Sequence, residues 1–140
     1  MHCRHHALQL QRASEQFEEA GASLCLIGQG TPRQAAHFRK RWELELPVLA
    51  DRERESYRAA GAKVATMGEL LGPTSVRKGA AKTLGSRGRI RQGRMIGHPA
   101  QLGGALLIGA DGGVSWSHMS EDASDNAEPE EILEAVRKAA

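Results

Sequence analysis

The order of predicted elements places this chain of 140 residues in the α/β class. Short apolar runs, typical of buried strands, alternate with segments in which apolar residues recur at three- and four-residue steps, as in amphipathic helices. Two strands joined by a helix imply a right-handed parallel crossover, and a hairpin signal near the C-terminus adds two antiparallel strands. With a final helix packed back on the hairpin, the sequence predicts one domain over residues 1–140, a three-layer sandwich around a mixed parallel and antiparallel sheet.

The first third of the chain carries two predicted helices and two predicted strands in alternation. An apolar stripe predicts a helix over residues 4–20, and the nearly continuous apolar run 23–27 is typical of a buried strand in a parallel sheet. The sequence T-P-R-Q at 31–34 predicts the start of a second helix, because Thr can cap it, Pro suits its first turn and Gln completes a capping box. Residues 47–50 predict a second short strand.

The rest of the chain adds a third helix, an insert, a hairpin and a last helix. Asp51 is placed to cap a helix that Gly61 ends. Residues 62–103 are too long for a plain loop, so they predict a basic helical insert. The D-G-G sequence within 104–118 predicts the hairpin, and residues 129–138 predict a helix with glutamates first and basic side chains last. This order is the thioredoxin-like arrangement, except that the chain starts on a helix.

Charge is unevenly distributed along the chain. Lys and Arg total 19 against 17 Asp and Glu, yet residues 70–110 carry seven basic side chains and no acidic one. The basic segment 77–94 can attract an anionic partner, so one alternative is a non-catalytic thioredoxin-like binding module that uses it. Nucleic acid is not the expected partner, because no aromatic side chain lies between Tyr57 and Trp116 to stack on bases.

Four stretches of the chain match the sequence patterns of one protein family in order and spacing. They are Cys3–Leu10, Pro47–Asp51 with Tyr57 and Gly61, Gln101–Gly104, and Asp125–Leu133. Together they resemble the peroxiredoxin-like branch of the alkyl hydroperoxide reductase/thiol-specific antioxidant (AhpC/TSA) family, within the thioredoxin-like superfamily. The resemblance implies a thiol-dependent antioxidant protein that reduces peroxides or disulfides.

The C-x-x-C site of that family is only partly present in this sequence. Cys3 corresponds to the second, resolving cysteine, and Met1 and His2 stand where the two middle residues of the pattern would be. The resemblance implies that a strand and the first cysteine precede Cys3, so we expect an N-terminally truncated sequence that lacks the central strand. On this expectation the chain is weak or inactive as an oxidoreductase. The unpaired sheet edges then favour self-association or pairing with another chain.

The resemblance also places the candidate site residues. Cys3 begins a helix, where free backbone N–H groups and the helix dipole favour a thiolate, and Arg4 after it either holds an anion or is a solvated charge. Gln101, Gly103 and Gly104 form a substrate-facing loop opposite the cysteine; the alternative is that the glycines only form a tight start to a strand. The implied substrate is a peroxide or disulfide and the implied reductant a thioredoxin- or glutathione-type thiol, with no built-in cofactor.

Other candidate chemistry in the sequence is weaker. Cys25, in the middle of an apolar run, is interpreted as a small core side chain. His2, Cys3, His5 and His6 are suitable metal ligands, but they lack the spaced second pair of a structural zinc site, so no metal site is assigned. The remaining histidines are interpreted as surface or satisfied side chains.

Neither a membrane span nor a signal peptide is visible in the sequence. No run approaches the roughly 18 apolar residues that a membrane span requires. Residues 1–20 contain arginines and glutamates without the apolar core of a signal peptide. Two cysteines also do not make a secreted disulfide framework. We therefore expect a cytoplasmic protein with no membrane partner.

Overall fold

A computed structural model describes residues 2–65 and 100–140, with the backbone only for His2. Its elements, in chain order, are α1 (His2–Glu19), β1 (Leu26–Gly28), α2 (Pro32–Arg41), β2 (Val48–Ala50), α3 (Glu55–Ala59), β3 (Gly104–Ile108), β4 (Val114–Met119) and α4 (Pro129–Ala139). The predicted order of helices and strands is confirmed for this part of the chain. Most of the predicted helical insert, including the basic segment 77–94, lies outside the described residues.

Local sequence signals account for where the helices begin and end. The Thr31 hydroxyl accepts a hydrogen bond from the Gln34 N–H (3.3 Å), and the Gln34 side chain accepts one from the Thr31 N–H (2.8 Å), so the predicted capping box forms. Gly21 and Gly61 follow α1 and α3 with φ of +83° and +75°. Glycine adopts this left-handed conformation without strain, which is why both helices end at these positions.

The four strands form two separate two-stranded sheets among the described residues, one parallel and one antiparallel, as expected for a mixed sheet that lacks its central strand. β1 pairs in parallel with β2, with Leu26 opposite Val48, and β3 pairs antiparallel with β4, with Gly104 opposite Met119. Within residues 2–65 and 100–140, β1 and β3 have one strand partner each and do not pair with each other. Among residues 2–65 and 100–140, no strand bridges β1 and β3.

A layer of two helices, α1 and α4, carries the main core. Phe17 of α1 and Leu133 of α4 are each only 1% exposed, and Ile132 and Val136 are buried with them, as the sequence predicted for the last helix. Both sheets rest on this cluster through Leu24 and Leu26 at β1, Ala105 and Leu107 in β3, and Trp116 in β4. The helix layer therefore contacts both sheets, which no strand joins in the part of the chain that the structure describes.

The opposite face of the two sheets is only partly covered. Its exposed apolar side chains are Ile27, Leu49, Leu106 and Ile108. Cys25 is exposed as well, so its interpretation as a core side chain is wrong. Side chains alternate along an extended chain, and because Leu24 and Leu26 face the helices, Cys25 and Ile27 point to the other side. The continuous apolar run suggested a strand covered on both faces, but Cys25 and Ile27 are exposed on the second face.

Side chains of α1 also anchor the connecting segments. The His6 ring donates through Nε2 to the carbonyl oxygen of Ala127 (2.7 Å), just before α4. The Gln11 side-chain oxygen accepts hydrogen bonds from the N–H groups of Glu45 (2.9 Å) and Leu46 (3.1 Å), just before β2. These bonds fix α1 against both halves of the molecule, and so they also fix the N-terminus of α1 relative to the ends of the strands.

Candidate functional site

The N-terminus of α1 lies near the end of the molecule where β1 and β2 finish. The Asp51 N–H, after β2, donates to the carbonyl oxygen of Gly28 at the end of β1 (2.7 Å). The Tyr57 hydroxyl donates to the carbonyl oxygen of Ile27 (2.9 Å), and negative charge on Cys3 acts on the same hydroxyl. Binding sites of open α/β sheets form at the carboxyl ends of parallel strands, so this is where a site is expected.

Cys3 is an exposed free thiol in the first turn of α1. Free backbone N–H groups and the positive end of the helix dipole attract negatively charged groups to such a position. Arg4, the next residue, is half-buried and takes part in a polar interaction. Cys25 is the other free cysteine of the described residues, and no disulfide joins it to Cys3.

Tyr57 is the titratable group of the site whose pKa departs most from its ordinary value. Burial, and after it negative charge on Cys3 and Asp51, together raise its pKa from 10.0 to about 12. The phenol therefore stays protonated, and remains a hydrogen-bond donor, at neutral pH. The sequence analysis quoted Tyr57 as part of a pattern but did not place it in the site; its spacing from Asp51 was the available signal.

Asp51 holds the start of α3, on which Tyr57 lies. Its carboxylate accepts hydrogen bonds from the N–H groups of Glu55 (3.1 Å) and Ser56 (2.8 Å) and from the Ser56 hydroxyl. The bond from the Ser56 hydroxyl holds the pKa of Asp51 below its ordinary value. The Asp51 carboxylate thus bonds the first N–H groups of α3, although the N-cap residue is Arg54 and not Asp51 as predicted.

Gln101 joins the start of β3 to the segment after α3. Its side-chain amide donates to the carbonyl oxygens of Lys63 (3.1 Å) and Leu102 (2.9 Å), and its oxygen accepts from the Arg54 guanidinium (3.3 Å). Val64 and Gln101 also form an antiparallel bridge. Both the oxygen and the nitrogen of the Gln101 side-chain amide thus form hydrogen bonds within the protein. Because Arg54 follows the end of β2, these bonds place the start of β3 at the same end of the molecule as Cys3.

The two glycines after Gln101 have different surroundings. A Cβ on Gly104 would lie 2.6 Å from the carbonyl oxygen of His118 and 2.7 Å from the Met119 sulfur, so β4 and its side chain pack where a side chain would be. A Cβ on Gly103 would meet no atom within 4 Å. Gly104 therefore has a packing reason to be glycine, whereas the space beside Gly103 is open.

His118 is satisfied by neighbouring groups, as the sequence analysis interpreted it. Its Nε2 lies 2.9 Å from Asp125 Oδ1 and its Nδ1 lies 3.6 Å from Glu131 Oε1, while the Trp116 ring stacks beside it at 6.4 Å between centroids. The two carboxylates approach opposite ring nitrogens, so they do not share one ligand position. Among residues 2–65 and 100–140, no group of three or more His, Cys, Asp and Glu side chains is arranged to hold a metal ion.

An open groove of about 900 Å³ lies away from Cys3, between α2 and β2. Ala35, Leu44 and Val48 contribute apolar surface to it, and Arg39 and Glu43 lie along its rim. The Arg39 guanidinium donates to the carbonyl oxygens of Leu44 (3.1 Å) and Glu45 (2.9 Å). Among the described residues, no cysteine or histidine lines the groove, so a thiol-dependent reaction points to the Cys3 end instead.

Comparison with known families decides the affiliation. The sequence profile of the family described as AhpC/TSA antioxidant enzyme matches residues 9–122. The chain belongs to the AhpC/TSA family. Among curated protein sequences, none matches it. The family supports a thiol-dependent antioxidant or redox function and agrees with the helices and small parallel and antiparallel sheets of this structure.

The AhpC/TSA match includes some of the candidate site residues and not others. Asp51, Tyr57 and the segment Gln101–Gly104 lie inside the matched range, whereas Cys3 and Arg4 lie before it. The roles of Cys3 and Arg4 therefore stay predictions from the sequence pattern. In the part of the chain that the structure describes, no helix is both long and apolar enough to cross a membrane.

Proposed function

We propose that this AhpC/TSA chain is a cytoplasmic thiol-dependent redox protein that reduces peroxides or disulfides through a C-x-x-C-type site in which Cys3 is the resolving-type cysteine. The observation that carries the proposal is the exposed free thiol of Cys3 in the first turn of α1, beside the carboxyl ends of β1 and β2. A thiol in that position is accessible to a small molecule or to another protein.

The chemistry available to Cys3 is thiol–disulfide exchange. The thiolate attacks one sulfur of a disulfide, the S–S bond breaks as a new S–S bond forms, and the departing thiolate takes up a proton. With a peroxide, the thiolate attacks an oxygen, the O–O bond breaks and the leaving oxygen is protonated, which gives a sulfenic acid. A thioredoxin- or glutathione-type thiol then condenses with the sulfenic acid, releasing water, and a second thiol restores Cys3.

Neighbouring residues take supporting roles in this proposal. Tyr57 keeps a protonated hydroxyl near Cys3, because burial raises its pKa to about 12. Arg4 adds a cation next to the thiolate in sequence, and Gln101, Gly103 and Gly104 form the substrate-facing loop. The Gln101 amide is bonded internally and so shapes the loop, while the open space beside Gly103 leaves room for the main chain of a protein substrate.

The test compares the reactivity of the two cysteines. The reduced protein is mixed with oxidised glutathione or hydrogen peroxide, the reaction is stopped at intervals, and mass spectrometry measures modification at each cysteine. We expect Cys3 to react at least about tenfold faster than Cys25, because only Cys3 lies at a helix N-terminus. Cys25→Ser is the matched control, since it removes an exposed thiol from another part of the molecule.

The results separate the proposal from simple surface oxidation. Cys25→Ser should leave the rate at Cys3 unchanged, and Cys3→Ser should remove the fast phase. Equal rates at both cysteines, or a Cys3 rate no higher than that of glutathione itself, would overturn the proposal.

A further inference from the structure

Helix α2 carries a row of basic side chains on its outer face. Its apolar side faces inward, where Ala35 is buried. The side chains of the outer row are all exposed, and they are Arg33, His37, Lys40 and Arg41. Their spacing of i, i+4, i+7 and i+8 places them on one side of a helix, and we call them the basic row. At a rise of 1.5 Å per residue, the basic row is about 12 Å long.

Helix stability accounts for the basic side chains at one end of the basic row only. Cations are favourable in the last turn of a helix, where Lys40 and Arg41 lie, because they oppose the negative end of the helix dipole. Arg33 lies in the first turn of α2, where the same dipole disfavours a cation and where no acidic side chain accompanies it. The charge of Arg33 therefore does not serve the helix, and a binding role explains its place.

The positive charge of the basic row is not neutralised by nearby carboxylates. Within residues 2–65 and 100–140, no carboxylate forms an ion pair with Arg33, Lys40 or Arg41. Residues 66–99 contain seven basic side chains and a single acidic one, Glu69. One carboxylate does not balance three permanently charged side chains, so the row stays positive wherever that segment lies. A row of this kind attracts an anionic partner.

The surface beside the basic row limits the shape of an anionic partner. Lys40 also lines the groove between α2 and β2, and Glu43 and Glu45 line the same groove. A partner with negative charge over a wide area, such as a membrane or a nucleic-acid duplex, would bring its charges close to these two carboxylates, which would repel it. A partner no wider than one polypeptide chain can contact the basic row alone.

We propose that the basic row of α2 is a docking surface for an extended acidic segment of a partner protein. Arg33, His37 and Arg41 follow one another at about 6 Å, because four residues of a helix rise by that distance. In an extended chain, side chains on one face recur at every second residue, about 6.6 Å apart. A segment with Asp or Glu at alternate positions therefore brings one carboxylate to each turn of the row. This surface is independent of the thiol chemistry proposed for Cys3.

A titration followed by nuclear magnetic resonance tests the surface residue by residue. The probe is a short synthetic peptide of alternating glutamate and serine, and the control peptide has glutamine in place of every glutamate. The isotope-labelled full chain is titrated with each peptide, and shifts of the backbone amide signals locate the contact and give the affinity. The titration is repeated at higher salt, because salt screens the attraction between exposed charges.

Two variants of equal net charge distinguish the basic row from general attraction to a basic protein. Each variant replaces three exposed basic side chains with glutamine, which keeps a good helix propensity. The α2 variant carries Arg33→Gln, Lys40→Gln and Arg41→Gln, and the control variant carries Arg12→Gln, Arg52→Gln and Arg137→Gln. Circular dichroism and thermal unfolding show that both variants are folded before binding is measured.

We expect the glutamate peptide to shift the amide signals of α2. Its affinity should be at least about fivefold weaker for the α2 variant and within about twofold of wild type for the control variant. It should also fall at least about threefold between about 50 and about 200 mM salt.

Several outcomes would overturn the proposal, and two of them do not depend on any variant folding. These two are equal binding of the glutamine peptide and absence of shifts in the wild-type chain. The others are shifts at residues 77–94 in place of α2, an equal loss of affinity in both variants, and binding to a DNA duplex or to anionic lipid vesicles that is tighter than binding to the peptide.

Discussion

The two faces of the strands differ in how completely they are covered. On the face toward α1 and α4, Phe17 and Leu133 are almost inaccessible to solvent, whereas Leu49 on the opposite face is 53% exposed. A side chain contributes to stability roughly in proportion to the apolar area it removes from water. The helix-facing side therefore carries most of the folding energy, and the open side, with the Cys3 end, is free to take part in binding and chemistry.

The largest expected effect on stability comes from truncating a buried side chain on the face toward α1 and α4. Phe17→Ala should lower the free energy of unfolding by about 3–5 kcal/mol, because it removes a fully buried ring and leaves a cavity between α1 and α4. Leu49→Ala on the open face should lower it by less than about 1 kcal/mol. Urea unfolding followed by tryptophan fluorescence measures both; similar losses would show that the open face is not open in solution.

A second prediction concerns tight packing at the start of β3. Gly104→Ala should cost about 1–3 kcal/mol of stability, because the new Cβ would collide with the main chain of β4 and with the Met119 side chain. Gly103→Ala should be close to neutral, since no atom lies near its Cβ position. Thermal unfolding of the two variants measures both changes in stability. Equal losses in the two variants would contradict the prediction.

A smaller effect is expected at the start of α2, which lies over β2 and not over the main core. Thr31→Ala should lower stability by about 1 kcal/mol, because it removes the hydroxyl that accepts a hydrogen bond from the Gln34 N–H. Thr31→Ser keeps the hydroxyl and should restore most of the loss. Hydrogen exchange of the Gln34 amide would rise in the first variant only; unchanged exchange would mean that the capping box does not hold the helix.

The last predicted effect on stability is absent at neutral pH and appears only in alkaline solution. Tyr57 is the chain's single tyrosine, so the phenolate absorbance reports it alone. Its pKa should be about 12, compared with 10.0 in the unfolded chain. Because the folded-state pKa is the higher one, its stabilising contribution is complete below pH 10 and is lost as the pH rises through about 12.

Two variants give the control for that titration. Tyr57→Phe should remove the part of the loss of stability at alkaline pH that is caused by ionisation of the Tyr57 phenol. Cys3→Ser should lower the Tyr57 pKa toward its ordinary value, because one of the negative charges that raise it is gone. A Tyr57 pKa unaffected by Cys3→Ser would separate the phenol from the proposed site.

Much of the fold could be predicted because its signals are local. The capping box at Thr31, the glycines that end α1 and α3, the hairpin turn and the apolar stripe of the last helix each depend on residues within a few positions of one another. The sequence pattern of the AhpC/TSA family was equally readable, and the family match over residues 9–122 confirms it. These features can be predicted without knowledge of the tertiary contacts.

The remaining features depend on partners that are distant in the chain. Cys25 was interpreted as a core side chain because an apolar run does not reveal that only one of its faces is covered. The Tyr57 hydroxyl reaches Ile27 across 30 residues, and the Gln101 amide reaches Lys63 across 38. The sequence by itself determined the elements, their order and the family. The tertiary structure alone decided the exposure of Cys25 and the place of Tyr57, because packing brings together groups that local patterns cannot relate.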